Sequence, residues 1–309
     1  MREVVRKVPI PLCGVMLGTM ALGNLLSSYS EVFRHICGGI AGFLLVMVLL
    51  KLTLFPKAVL EDLKNPVLAS VSGTLPMSLM LLSVYVKPWI GAAAYAVWLS
   101  AIVLHIILIV YFTLRFVIKL QMPQVFASYY IVYVGIVTAS VTAPSYGKLM
   151  IGEAVFWFGF VSLTVLLIPV TVRYVKYKEI PDPSKPLICI YAAPFNLCIV
   201  GYMQSVTPKN YVFLLGMFVT ASALYLFAFV KAAEYLKLPF YPSYASFTFP
   251  FVISATAAKQ TMVCLMDKGY PIPALGILAG IETIIASALV VYTLVRFFRF
   301  LFVKRPFAQ

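Results

Sequence analysis

Ten stretches of this chain stay apolar for about twenty residues each, the length a helix needs to cross the hydrocarbon of a bilayer. They are Pro11–Ser27, His35–Leu54, Pro66–Val86, Trp89–Ile118, Pro123–Thr142, Lys148–Tyr174, Lys185–Val206, Asn210–Leu236, Tyr244–Met266 and Pro273–Val303. So many uncharged runs in 309 residues leave no material for a water-soluble surface: 62% of the chain is hydrophobic and 11% charged, with a mean hydropathy of +1.00. A soluble domain covers itself with charge, whereas a bilayer lets apolar side chains face outward. Transmembrane strands alternate polar and apolar over about ten residues, and these runs do not. The sequence predicts an all-α integral membrane protein in which residues 1–309 form a single transmembrane domain, with no soluble domain.

The basic residues sort by the side on which the runs are joined. With ten crossings, 18 lysines and arginines fall on the side of the termini and 5 on the other, Lys259 inside a run completing the 24. The terminus-side set runs from Arg2, Arg6 and Lys7 through Lys51, Arg173 and Lys176 to Lys304 and Arg305. The opposite set is Arg34, Lys87, Lys148, Lys209 and Lys268. Cytoplasmic loops collect positive charge, so the split predicts a multi-pass protein of the cell membrane with both termini cytoplasmic. The net charge of +14 mostly records this bias. It suits anionic lipid headgroups and gives no support for nucleic-acid binding. The basic start at Met1–Lys7 leads into an apolar run without a small-residue cleavage site, so it reads as the approach to the first span rather than a leader. The five cysteines, Cys13, Cys37, Cys189, Cys198 and Cys264, form no close pair and read as small buried hydrophobes.

The runs are of two kinds. The fourth, sixth, eighth and tenth are long and almost unbroken in apolar character; the odd-numbered ones are shorter and carry Gly, Pro, Ser and Thr. Pro11, Pro76, Gly135, Pro194 and Pro250 recur at intervals of 65, 59, 59 and 56 residues. That spacing suggests five copies of a two-helix unit, each with a kink at its first helix. A proline removes one backbone hydrogen bond, and in lipid the freed carbonyl must find a partner in protein or water. Kinked helices therefore belong inside a bundle. The odd runs would form an inner ring that offers Thr19, Asn24, Ser72, Thr74, Ser78, Thr138, Ser140, Asn196, Ser254 and Thr256 to a passing ion, and the even runs would face lipid. The bland alternative is that these hydroxyls and amides bond across packed helices.

Three short segments then carry a family resemblance. Gly73-Thr-Leu-Pro76-Met77, Val134-Gly135-Ile-Val-Thr-Ala139 and Phe247-Thr-Phe249-Pro250 resemble the third, fifth and ninth helices of the tellurite-resistance/dicarboxylate transporter family. That family includes TehA-like proteins and the slow-type anion channels of plants. The resemblance implies ten helices as five hairpins with pseudo-fivefold symmetry, odd helices around a central pore, and a homotrimer. It implies a phenylalanine gate on the ninth helix, matched here by Phe249, with Phe247 as the second choice. It also implies small anions as the transported partner: chloride, nitrate, or carried malate, sulfite or tellurite-type ions. The chain lacks the long tails that the plant channels use for phosphorylation control, so that regulation is not expected here.

Lys259 is the sharpest anomaly that the residues alone present. A charge at the centre of a span costs about 2.5–3.5 kcal/mol, so it faces a cavity or a partner. Lys259 is expected near the outer end of the ninth helix, lining the pore and raising the anion concentration there, or paired with Glu282 of the tenth run. Glu282 and Glu153 keep open the alternative of a proton-coupled carrier for four-carbon dicarboxylates, sulfite or tellurite-type oxyanions. His105 reads as a hydrogen-bonded packing residue. No His, Cys, Asp and Glu cluster has metal-ligand spacing, and neither a Ser-His-Asp arrangement nor a phosphate-cradling loop is legible. No metal, no cofactor and no enzyme activity is expected. A membrane enzyme or a structural subunit is the third possibility.

Overall fold

The computed structural model describes residues 2–303; Lys304 and Arg305, counted above among the terminus-side cations, lie outside them. Among the described residues there is no strand, and eight helices are long and apolar enough to cross a membrane. Four of the eight are single α-helices: α3 (Glu31–Leu54), α10 (Leu149–Lys176), α12 (Tyr211–Tyr235) and α14 (Pro273–Phe302). A fifth is α7 (Ala93–Phe112), extended to Val117 by one wide turn. The other three are broken: Pro66–Ile90, Asp182–Ser205 and Pro242–Asp267. Two shorter apolar stretches complete the pattern, α2 (Leu12–Leu26) and the interrupted segment Tyr129–Thr142.

Burial separates the helices into two layers. In Asp182–Ser205, 94% of the apolar window is buried, against 22% in α10 and 28% in α12. α2 is buried over almost its whole length. The long helices instead expose Val46, Ile107, Ile168, Val219 and Ile284. A surface this apolar is a lipid-facing one. Each inner segment packs on the long helix that follows it in the chain: α2 on α3, and α6 (Thr74–Ile90) on α7. The same holds for α9 (Val137–Thr142) on α10, α11 (Pro194–Ser205) on α12, and α13 (Phe249–Asp267) on α14.

Four of the five inner segments break near the proline or glycine that marks them. The break at Ser72–Gly73 divides α5 (Pro66–Val71) from α6, two residues short of Pro76. Residues 134–136 divide α8 (Tyr129–Tyr133) from α9 at Gly135. Pro194 and Pro250 stand in the first turns of α11 and α13, each preceded by a 3-10 helix, Asp182–Ala192 and Pro242–Phe247. Proline suits a first turn because its missing N–H would lack a partner there anyway. Pro11 sits at the cap of α2, after the short α1 (Arg2–Lys7), and so starts a helix instead of bending one. At Gly135 the reason is space: a Cβ there would lie 2.2 Å from the Ile131 carbonyl oxygen and 2.7 Å from the Met77 sulfur.

The carbonyls at these breaks find partners, as a membrane interior requires. His105 Nε2 donates to the Val132 carbonyl at 2.9 Å, directly behind the Gly135 break. Side-chain hydroxyls then tie each inner segment to the next. Ser78 donates to the Cys13 carbonyl (3.1 Å) and Tyr85 to that of Met20 (2.7 Å). Ser70 bonds Ser128 (2.7 Å). Ser140 donates to the Gly201 carbonyl and Ser205 to that of Ser140. Ser246 donates to Pro186, and Thr248 to Gly14 at 3.1 Å. The last of these returns to the first segment, so the inner layer closes on itself. All five cysteines are buried and free.

One buried cation holds the terminus-side loops. The Arg173 side chain, 2% exposed, donates from Nε to the Pro123 carbonyl (3.1 Å) and from its terminal nitrogens to those of Tyr177 and Glu179. Its guanidinium lies 4.6 Å from the centre of the Phe126 ring. A fork of fixed donors suits three carbonyls in a way that an ammonium does not. Arg173→Ala is expected to lower stability by about 2 kcal/mol, with Arg173→Lys recovering only part of it. The thermal midpoint in detergent measures both. Equal midpoints for wild type and Arg173→Ala would remove this clamp from the account.

Candidate functional site

The closed inner layer surrounds a cavity of about 290 Å3. Every one of its segments contributes wall, and mostly at three-residue intervals: Pro11, Gly14 and Leu17; Val71, Thr74 and Met77; Ile131 and Val134; Leu187, Ile190 and Ala193; Ser243, Ser246 and Phe249. That spacing follows from the local structure, because a 3-10 helix stacks residues i and i+3 in line and an α-helix keeps them on one face. The cavity runs from Asn65, Ser184 and Ser243 on the terminus side inward to Leu17, Met77, Leu197 and Phe249. At its mouth Asn65, Val67 and Ser184 also border a wider recess of about 840 Å3 that includes Arg173, Lys176 and Lys178.

Phe249 belongs to the cavity wall and is 7% exposed. Its backbone is held close to α2: a Cβ on Gly18 would lie 2.8 Å from the Phe249 nitrogen. Phe247 is fully buried, with its ring centre 4.9 Å from that of Tyr244, and does not line the cavity. Pro11, Gly135, Pro194 and Pro250 line it; Pro76 does not.

Of the polar side chains singled out in the sequence, Thr74 borders the cavity, and its hydroxyl donates to the Val71 carbonyl at 2.8 Å. Thr19 donates to Val15, Asn196 to Ala192 and Ser140 to Gly201, while Ser78 bonds the carbonyls of both Cys13 and Thr74. Thr138 is 1% exposed and its hydroxyl has no partner among the described residues. Ser254 donates to Glu282 at 2.7 Å. Ser72 turns away from the cavity, into an outer groove.

Asn24, Thr256 and Lys259 meet elsewhere, in a recess of about 530 Å3 at the end of the bundle away from the termini. Its polar lining also includes Ser28, Lys209, Lys268, Gln204, Gln260 and Asp267. It shares no lining residue with the cavity. Along α13 it starts seven residues beyond Phe249, about 10 Å at the helical rise. The Lys259 ammonium donates to the Ser28 hydroxyl and lies 5.1 Å from the centre of the Tyr29 ring. The expected Glu282–Lys259 pair is therefore not made. Ser254 and Lys259 are five residues apart and point about 140° apart around the helix, so the residue that meets Glu282 leaves the lysine facing the recess. Burial lowers the pKa of Lys209, in the loop before α12, while Cys264 and Glu153 pull it upward. Among the described residues no three His, Cys, Asp or Glu side chains gather as a metal site.

Sequence reasoning sought polar pore-lining groups and so passed over Gly14, Leu17, Met77, Val134 and Leu197. The signal was present as the i, i+3 register of apolar residues around each marked proline or glycine. Comparison with known families matches residues 7–298 to the family described as voltage-dependent anion channel, SLAC1. Comparison with individually curated proteins gives no match.

Proposed function

The chain belongs to the SLAC1 family of voltage-dependent anion channels, the family of the TehA-like proteins, and from that premise we propose that it passes small anions through the cavity described above, with Phe249 as the gate. The observation that carries this reading is that one cavity takes its wall from all five inner segments and has Phe249 at its inner end. The eight long helices, α2 and the broken segment Tyr129–Thr142 together make the ten crossings of five hairpins with approximate fivefold symmetry. Both termini are then cytoplasmic, and three copies assemble as in related proteins.

The wall chemistry fits conduction better than capture. An anion that must leave as readily as it enters needs weak sites. Here the lining is mainly aliphatic; the Thr74 and Ser246 hydroxyls are engaged with carbonyls, and those of Tyr130 and Ser243 have no partner among the described residues. α6, α11 and α13 begin at the cavity, so the positive ends of their backbone dipoles favour an anion without binding it as a lysine would. Beyond the gate, Lys209, Lys259 and Lys268 line the outer recess with one acid, Asp267, and Glu153 acts on Lys209 from outside the lining. That balance concentrates anions at the outer mouth.

The test is current through planar bilayers holding the purified protein under a potassium chloride gradient. The reversal potential is expected to move toward that of chloride; cation selectivity would sink the proposal. Lys259→Gln is expected to reduce current severalfold in dilute salt, the gap closing near 1 M, where charges are screened within ~3 Å. A deficit independent of salt would show that Lys259 acts by packing on Ser28 and Tyr29 instead.

A further inference from the structure

A second apolar space, about 240 Å3, opens on the outside of the bundle between α3 and α7. Ile10, Cys13, Leu75, Pro76, Leu104 and Ile107 are among the residues that line it. Leu104 is 39% and Ile107 58% exposed, so the space is open toward the face that meets lipid. At its terminus-side end the Tyr111 hydroxyl reaches the Leu63 carbonyl at 3.0 Å. There α3 turns at Phe55 into α4 (Pro56–Asp62).

The rim at that end is positive. Lys51 lines the groove and donates to the Arg6 carbonyl at 2.6 Å. Arg6 and Lys7 end α1, and Lys57 lies in the first turn of α4. Of the acids at this end of these elements, Glu61 is paired with Lys64 at 2.7 Å, which leaves Glu3 and Asp62 against five cations, Arg2, Arg6, Lys7, Lys51 and Lys57. An apolar slot at hydrocarbon depth that ends in cations at the interface matches a molecule with an acyl chain and a negative headgroup. Basic pockets between helices on the cytoplasmic side recognise such lipids. A slot left empty there loses its dispersion contacts, so the bilayer fills it.

We propose that this groove is a binding site for an anionic phospholipid of the terminus-side leaflet, with a tail between α3 and α7 and the phosphate at Lys51 and Arg6. The leaflet's identity as cytoplasmic rests on the orientation proposed above. The site bears on the cavity because the wall between them is one helix thick. Ser72, Leu75 and Pro76 face the groove, while Val71, Thr74 and Met77 face the cavity. A bound tail therefore braces the back of the break in the third span.

Native mass spectrometry of the full chain in detergent, titrated with phosphatidylglycerol or phosphatidylcholine, tests this without recourse to current. A failed lipid site and a failed channel are thus separate results. Wild type is expected to retain phosphatidylglycerol about fivefold better at equal concentration. Lys51→Gln should abolish the preference, and Leu104→Trp, which fills an already exposed edge, should reduce retention of both lipids. Unchanged thermal midpoints certify that the two variants fold. Equal retention of the two lipids by wild type overturns the proposal. So does a preference that survives Lys51→Gln, or full displacement of the lipid by inorganic phosphate, which would mark a headgroup site with no tail. Crosslinking of Ile107→Cys between two copies in the bilayer would also overturn it, by giving the groove to a second chain.

Discussion

Phe249→Ala is expected to raise anion current at least about tenfold over wild type, equivalent to removing ~1.4 kcal/mol from the barrier. The ring stands in the cavity wall at its inner end, and the outer recess begins about 10 Å further along the same helix. Removing six ring carbons there widens the segment that separates the two spaces. Much of the lost contact is with the cavity, so the stability change should stay below the ~3–5 kcal/mol typical of a fully packed Phe→Ala. Phe247→Ala is the informative companion. That ring is fully buried against Tyr244, away from the cavity. It should lower the thermal midpoint clearly and leave current at the wild-type level. Bilayer recordings with chloride and nitrate, paired with thermal melts, measure both. A silent Phe249→Ala beside a conducting Phe247→Ala would shift the gate by two residues; silence from both would remove the aromatic gate.

Much of this arrangement was legible in the residues because membrane physics leaves few choices. Apolar length gave the long helices, and proline and glycine spacing gave the breaks, since a missing N–H or a missing Cβ acts locally whatever surrounds it. Gly135 is a case where the local argument was incomplete. Its break serves contacts with Met77 and His105, two residues distant in sequence, that no short motif records. The polar inventory was legible as a set but not by destination. Thr19, Ser78 and Ser140 look alike in sequence whether they face an ion or a neighbouring carbonyl. Here they face carbonyls, because segments that break in lipid must satisfy backbone groups before anything else. Lys259 was visible as an anomaly, while its partners Ser28 and Tyr29 depend on how the first segment turns at its outer end.

Gly18→Ala should disrupt the contact between the first and the last inner segments. The added Cβ would lie 2.5 Å from the Thr248 Cβ and 2.8 Å from the Phe249 backbone nitrogen. Neither is the end of a flexible side chain, so α2 and the start of α13 must separate. The Thr248 hydroxyl bond to the Gly14 carbonyl, which closes the inner layer, is stretched in the same movement. Overpacking of this kind costs about 1–3 kcal/mol, read as a lower thermal midpoint. Gly42→Ala is the matched control. Gly42 lies on α3 with open space around it, so alanine there should be neutral or slightly stabilising through helix propensity alone. The functional consequence differs in kind from the energetic one. Because the clash falls on the backbone that carries Phe249, Gly18→Ala should also raise resting current, though less than Phe249→Ala does. In the double variant the stability loss should persist while the extra current vanishes, since no ring remains to displace. A current increase that adds fully to that of Phe249→Ala would mean that the first and ninth segments part to open a second path, and that the ring alone does not set the barrier.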